Sequence, residues 1–171
     1  MRKLNKIILF ILIVGVIYLF FLLQSPTSIN KEYEGFIYQL GSDAEGKKAK
    51  IEVNGELKNS IFDKNQFEGF ISVNGEKIPP NNAVQDTVIL DLEEQLGGLL
   101  IYTIQNERGE SILQYGELHQ NDEFKEVLIT KFPEDGSWNV EDGIIIAAPA
   151  NNKDEALNIA NEIIDSTNPL E

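Results

Sequence analysis

The chain has 171 residues, 28 of them Asp or Glu against 14 Lys or Arg, which gives a net charge of −14, and it has no cysteine. So acidic a balance argues against nucleic acid, whose phosphates need clustered Lys and Arg, and against anionic headgroups. The missing thiols exclude disulfides, thiolate zinc sites, a cysteine nucleophile and a lipidated N-terminal cysteine, so an exported domain here must rest on core packing alone.

Residues 1–6 hold Arg2, Lys3 and Lys6, and read as a cytoplasmic stub. Residues 7–23, Ile7 to Leu23, are apolar and without charge. At ~1.5 Å per residue they give a helix of about 25 Å, the short end of a bilayer span, with every backbone group satisfied internally. The cations lie on the near side and the next charge is Lys31. The positive-inside rule therefore keeps the N-terminus in the cytoplasm and sends the rest out. The run exceeds the apolar core of a cleaved signal, and Leu23-Gln24-Ser25-Pro26-Thr27-Ser28 lacks an A-x-A-like site, so retention as a transmembrane signal anchor is expected. A cut after Thr27, using Ser25 and Thr27 as the small residues, is the alternative. Beyond the run, 11 cations face all 28 acids, leaving −17 on the exported part. Solubility and self-repulsion account for that charge, with a cationic partner or a divalent metal as the alternative.

Residues 24–32 read as an extended linker containing Pro26. Residues 33–171 read as one extracytoplasmic β-rich domain. Tyr33 to Leu40 is strand-like and Gly41 to Gly46 a turn. Ile51-Glu52-Val53-Asn54-Gly55-Glu56 recurs twenty residues on as Ile71-Ser72-Val73-Asn74-Gly75-Glu76. Asn-Gly between alternating residues signals a hairpin. In the first copy a three-residue loop pairs Ile51 with Leu57. In the second, a two-residue loop pairs Ile71 with Ile78, and a three-residue loop pairs Phe70 with Ile78. Pro79-Pro80-Asn81-Asn82 ends the block as a join between two sheets. Thr87 to Leu92, Leu99 to Gln105, Glu110 to Leu118 and Glu126 to Phe132 follow as strands, with a turn at Gln95 to Gly98 and a hairpin loop at Asn106 to Gly109. Turns at Pro133 to Gly136 and Glu141 to Gly143 flank Trp138 and Val140. Ile144 to Ala148 is continuously apolar, as in a strand buried on both faces.

The last element is helical. Asn152 is its N-cap with Glu155 three residues on, and Asp154 and Glu155 suit the N-terminal end of the dipole. Ala156, Leu157, Ala160, Ile163 and Ile164 form one stripe, and Asn168-Pro169 stops it. The fold class is α+β, mainly antiparallel β and sandwich-like, of about eight or nine strands with one C-terminal helix, preceded by a single transmembrane helix.

Chemistry-bearing residues are sparse. His119 is the only histidine and reads as an exposed loop residue, since a base needs a positioned partner and a metal needs more ligands. Glu134-Asp135-Gly136 and Glu141-Asp142-Gly143 bracket Trp138, a setting for calcium or a sugar, yet without the ligand alternation of an EF-hand. Ser60, Ser72, Ser111 and Ser137 lack a nucleophile elbow, and Gly97-Gly98 lacks a phosphate-loop lysine. No catalytic, cofactor-binding or metal residue is assigned and no cofactor is expected. The expected function is a single-pass, membrane-anchored extracytoplasmic domain, a non-catalytic interaction or accessory protein of the cell envelope. Its expected partners are membrane lipid through residues 7–23 and an envelope or membrane protein, with no nucleic acid. The alternative is a surface hydrolase or a calcium- or carbohydrate-binding domain using acidic loops.

Overall fold

The computed structural model describes residues 10–15, 18, 25–58, 60, 65–92, 97–121, 124–133 and 141–164. Nine antiparallel strands are found among them: β1 Thr27–Gln39, β2 Lys47–Lys58, β3 Asn65–Val73, β4 Glu76–Ile78, β5 Val88–Leu92, β6 Gly98–Asn106, β7 Gly109–Asn121, β8 Glu126–Lys131 and β9 Ile144–Ala148. One helix, α1 (Lys153–Ile163), follows.

The strands form one sheet in the order β4-β3-β2-β1-β9-β8-β7-β6, with β5 also on β3. Both β4 and β5 use the same edge of β3, the first along Ile71 to Val73 and the second along Asn65 to Gly69. Together they make one strand interrupted by residues 79–87. Counted so, each strand neighbours the one before it, and β9 returns to pair with β1. The seam between the two ends is narrow. Ala83 bridges to Ile104, the Val84 N–H donates to the Thr103 carbonyl at 2.7 Å, and Gly98 lies against Leu90. The result is a nearly closed up-and-down barrel, a solution that leaves little exposed strand edge. The sandwich-like expectation is thus replaced by a single curled sheet, and residues 79–82 open an excursion within it instead of joining two sheets.

Strand alternation separates two cores. Ile29, Tyr33 and Ile37 of β1 point inward with Ile51, Phe67, Leu100, Leu118 and Ile129, whereas Phe36 and Tyr38 point outward. Those outward residues, with Leu128, Ile145 and Ala147, lie beneath Ala156, Ile159 and Ala160 of α1. β9 is therefore buried on both faces, as its unbroken apolar run implies: Ile146 and Ala148 face the barrel, Ile145 and Ala147 the helix. Each large side chain so buried contributes roughly 1.5–3 kcal/mol. The Asn152 cap forms as expected, its Oδ1 accepting from the Glu155 N–H at 2.9 Å while Glu155 Oε2 accepts from the Asn151 N–H at 2.8 Å. The helix ends at Ile163, and Asn168-Pro169 lies outside the described residues.

Two local expectations are corrected. β1 begins at Thr27, where it already pairs with Leu57, so residues 27–32 of the expected linker belong to the sheet. Asn54-Gly55 is no hairpin: β2 runs straight through it, with Gly55 opposite Gly69 and the Phe67 ring over both. The glycines are there to admit that ring. Asn74-Gly75 is a hairpin, with φ of 53° and 84° and Ile71 opposite Ile78, the two-residue form whose turn needs both residues left-handed. Most of the apolar run at residues 7–23 lies outside the described residues; within it residues 10–15 and Tyr18 are helical. Among the described residues no helix is long and apolar enough to cross a membrane.

Candidate binding cavity

The two ends of the barrel differ. At the end where β1 starts, the β7–β8 connection turns Phe124 inward with a φ of 63°, fully buried, its ring 5.0 Å from that of Phe67. Its backbone is tied down on both sides. Tyr33 Oη and Lys31 Nζ (3.0 Å) donate to its carbonyl, and its N–H donates to Gln120 Oε1 at 2.9 Å. Burial pushes the Tyr33 hydroxyl up to about 12, so it stays a neutral donor. This end is a plug.

At the opposite end, where β1, β3 and β8 finish and β2, β4 and β9 begin, a cavity of about 530 Å³ opens. Ile37, Val73, Ile144 and Ile146 form its apolar wall. Lys47 sits beside Ile37, Glu76 beside Val73 and Lys131 beside Ile144, each at a register position facing inward on its strand. The Lys131 ammonium lies 5.1 Å from the centroid of the Tyr115 ring, a cation–π contact. Tyr115 occupies the bulge in β7 between the residues paired with Leu100 and Ile101. Burial first, then the Glu76 carboxylate and Tyr102, push its hydroxyl up to about 12. It too is a neutral O–H at physiological pH.

The residues singled out from sequence do not meet here. His119 is not an exposed loop residue: it lies within β7, and its side chain is 13% exposed, on the outer surface. Gly97 packs against its ring, where a Cβ would come within 2.6 Å. Burial holds the imidazole below its ordinary value, opposed by Glu117 at 3.5 Å. Ser72 is buried within β3, and Ser111 Oγ accepts from Asn106 Nδ2 at 2.8 Å. The Glu141-Asp142-Gly143 turn braces the end of β1, accepting from Gln39 Nε2 and from the Leu40 N–H, both at 3.0 Å. Residues 134–140, with Trp138, Val140 and Ser137, lie outside the described residues. Among the described residues no group of three acidic or histidine side chains is placed to hold a metal ion.

Sequence reasoning missed Lys131, Tyr115, Glu76 and Lys47. One signal was present: Val127, Ile129 and Lys131 alternate, so the lysine continues the inward face of β8. Comparison with protein-family models, characterised proteins and solved structures finds no match for the chain.

Proposed function

We propose that the chain is a membrane-tethered, non-catalytic binding barrel of the cell envelope. Residues 1–6 stay in the cytoplasm, residues 7–23 cross the cell membrane, and the barrel stands outside and holds a small molecule in its open end. The observation that carries this reading is the asymmetry of the barrel, packed shut around Phe124 at one end and hollow at the other. Eight-stranded barrels are of the width at which side chains either fill the interior or leave room for one small ligand. A hollow of about 530 Å³ lies within the ~300–1,000 Å³ of small-molecule sites, and an apolar wall with a few polar groups is their usual lining. The tether is supported by three cations ahead of an uncharged apolar run, and by residues 10–15 being helical and exposed, Phe10 by 67%.

Two measurements test this. A cysteine placed at Ser60 in the cysteine-free chain is expected to react, in intact cells, with a thiol reagent that cannot cross membranes. Labelling only after permeabilisation would refute the topology. For the cavity, full-length protein in neutral-lipid nanodiscs is titrated with decanol and followed by methyl NMR. The Ile37, Ile144 and Ile146 signals should shift, with outward-facing Ile89 and Ile112 as controls. Shifts confined to the controls, or none at all, would remove the binding site from the reading.

A second reading, a protein partner, is favoured by exposed apolar side chains on β5 to β7, where Ile89 is 60% and Ile112 72% exposed. Its test is Ile112→Lys, which should abolish stoichiometric co-purification of a membrane protein from the native envelope.

A further inference from the structure

We infer that the molecule held in the open end is a single-chain amphiphile with an anionic head, a carboxylate or a phosphate, taken up from the aqueous side and not drawn from the bilayer. This rests on the reading of the cavity as a binding site and gives that site its ligand class. Three observations carry it.

The first is the placement of charge. In a chain with twice as many acids as cations, two lysines, Lys47 and Lys131, line the cavity. The surface lysines Lys50 and Lys58 are paired with Glu32, Glu52 and Glu68. Among the described residues, no carboxylate lies within ion-pair distance of Lys131 or Lys47; the close neighbour of Lys131 is the face of Tyr115. Of the two, Lys131 is half-buried and Lys47 exposed, so it is the Lys131 ammonium that loses hydration an anion would restore. Glu45 and Glu76 also line the cavity and bring the lining to neutrality, which leaves the site far less repulsive to an anion than the rest of the surface. Tyr115, kept neutral, adds an O–H donor of the kind an anionic oxygen accepts from.

The second is the apolar wall. Ile37 and Ile144 offer branched aliphatic surface level with the lysines they pair with, Val73 extends it beside Glu76, and Ile146 lies one inward position deeper along β9, which suits a hydrocarbon body beside and beneath a charged head. The third is direction. β1 leaves the tether at Thr27, at the plugged end, and reaches the open end at Gln39. Thirteen extended residues at ~3.3 Å each span about 40 Å, so the mouth opens that far along the strand from the tether. On the proposed tethering, the end that follows the membrane segment along the chain is the plugged one.

The test uses the full-length chain in phosphatidylcholine nanodiscs, with decanoate, decyl phosphate, decanol and decyltrimethylammonium as probes and the cavity methyl signals as readout. Decanoate and decyl phosphate should bind most tightly, decanol more weakly, and decyltrimethylammonium not at all. The Lys47→Met/Lys131→Met pair should weaken decanoate by roughly tenfold or more while leaving decanol unchanged, since a hydrogen bond to a charged group is what is removed. The unchanged decanol affinity also certifies that the variant is folded. If decanol binds as tightly as decanoate, or the double variant loses both equally, the anionic-head assignment falls while the binding cavity stands. If no probe moves the cavity signals, the cavity reading falls with it. Replacing part of the phosphatidylcholine with phosphatidylglycerol should not shift these signals; a shift would make bilayer lipid the source and overturn the aqueous route.

Discussion

His119 illustrates how far a residue's setting can depart from its sequence neighbourhood. Followed by the polar Gln120 and Asn121, it nonetheless lies within β7 opposite Leu128 of β8 and against Gly97, and burial disfavours its charged form. Its folded value is below the ordinary 6.5, so the unfolded chain binds the extra proton first as pH falls. The stability tied to neutral His119 is fully present above 6.5 and is lost as pH drops toward the folded value, with Glu117 moderating the loss. His119→Gln should flatten that dependence. Urea unfolding at about pH 7.5 and about pH 5.5 checks it, because the parent must lose more stability than the variant across that interval. Equal losses would mean that the imidazole does not couple to folding.

At the scale of elements, the duplicated Asn-Gly stretch is the instructive case. Two nearly identical hexapeptides adopt different structures, one inside β2 and the other at the β3–β4 turn. Local chemistry permits a hairpin at both, so the choice is made by the partners. At Gly55 and Gly69 the facing strands approach closely beneath Phe67, and a Cβ at Gly69 would come within 2.7 Å of both Gly55 Cα and Phe67 Cζ and would also meet the Asn54 carbonyl. At Gly75 the space is open and only the left-handed backbone resists a side chain. Gly69→Ala should therefore destabilise by about 1–3 kcal/mol or more through overpacking, and Gly75→Ala by roughly 1 kcal/mol through backbone strain. Denaturant midpoints of the two variants decide the matter, and a larger loss at Gly75 would refute the account of Gly69. The same reasoning explains Phe124: a residue between polar neighbours in sequence becomes the plug of the barrel because Tyr33, Lys31 and Gln120 fix its backbone.

For the whole molecule, net charge governs the response to salt. With a net −17 beyond the apolar run, the folded barrel concentrates like charges, and the ion pairs of Lys50 and Lys58 are exposed and contribute little to stability. Raising NaCl from about 0.05 to about 0.5 M shortens the screening length severalfold and should raise the melting temperature of the nanodisc-bound chain. A falling melting temperature would show that the surface pairs outweigh the repulsion. The layout also bears on the proposed function: were residues 7–23 the tether we propose, it would join the barrel at the plugged end, away from the hollow one.

Much of this protein follows from the sequence alone. Period-two alternation places the strands, the unbroken Ile144 to Ala148 run declares a strand covered on both sides, and Asn152 with Glu155 marks the helix start, because each is a local rule satisfied by neighbours in the chain. Only tertiary structure decided that the sheet curls into one barrel, that β9 pairs with β1, that Asn54-Gly55 stays extended, and that Lys47, Glu76, Tyr115 and Lys131 share a cavity. Closure depends on which distant strands meet, and the four cavity residues are separated by up to 84 positions (Lys47 to Lys131), so no local pattern encodes their encounter.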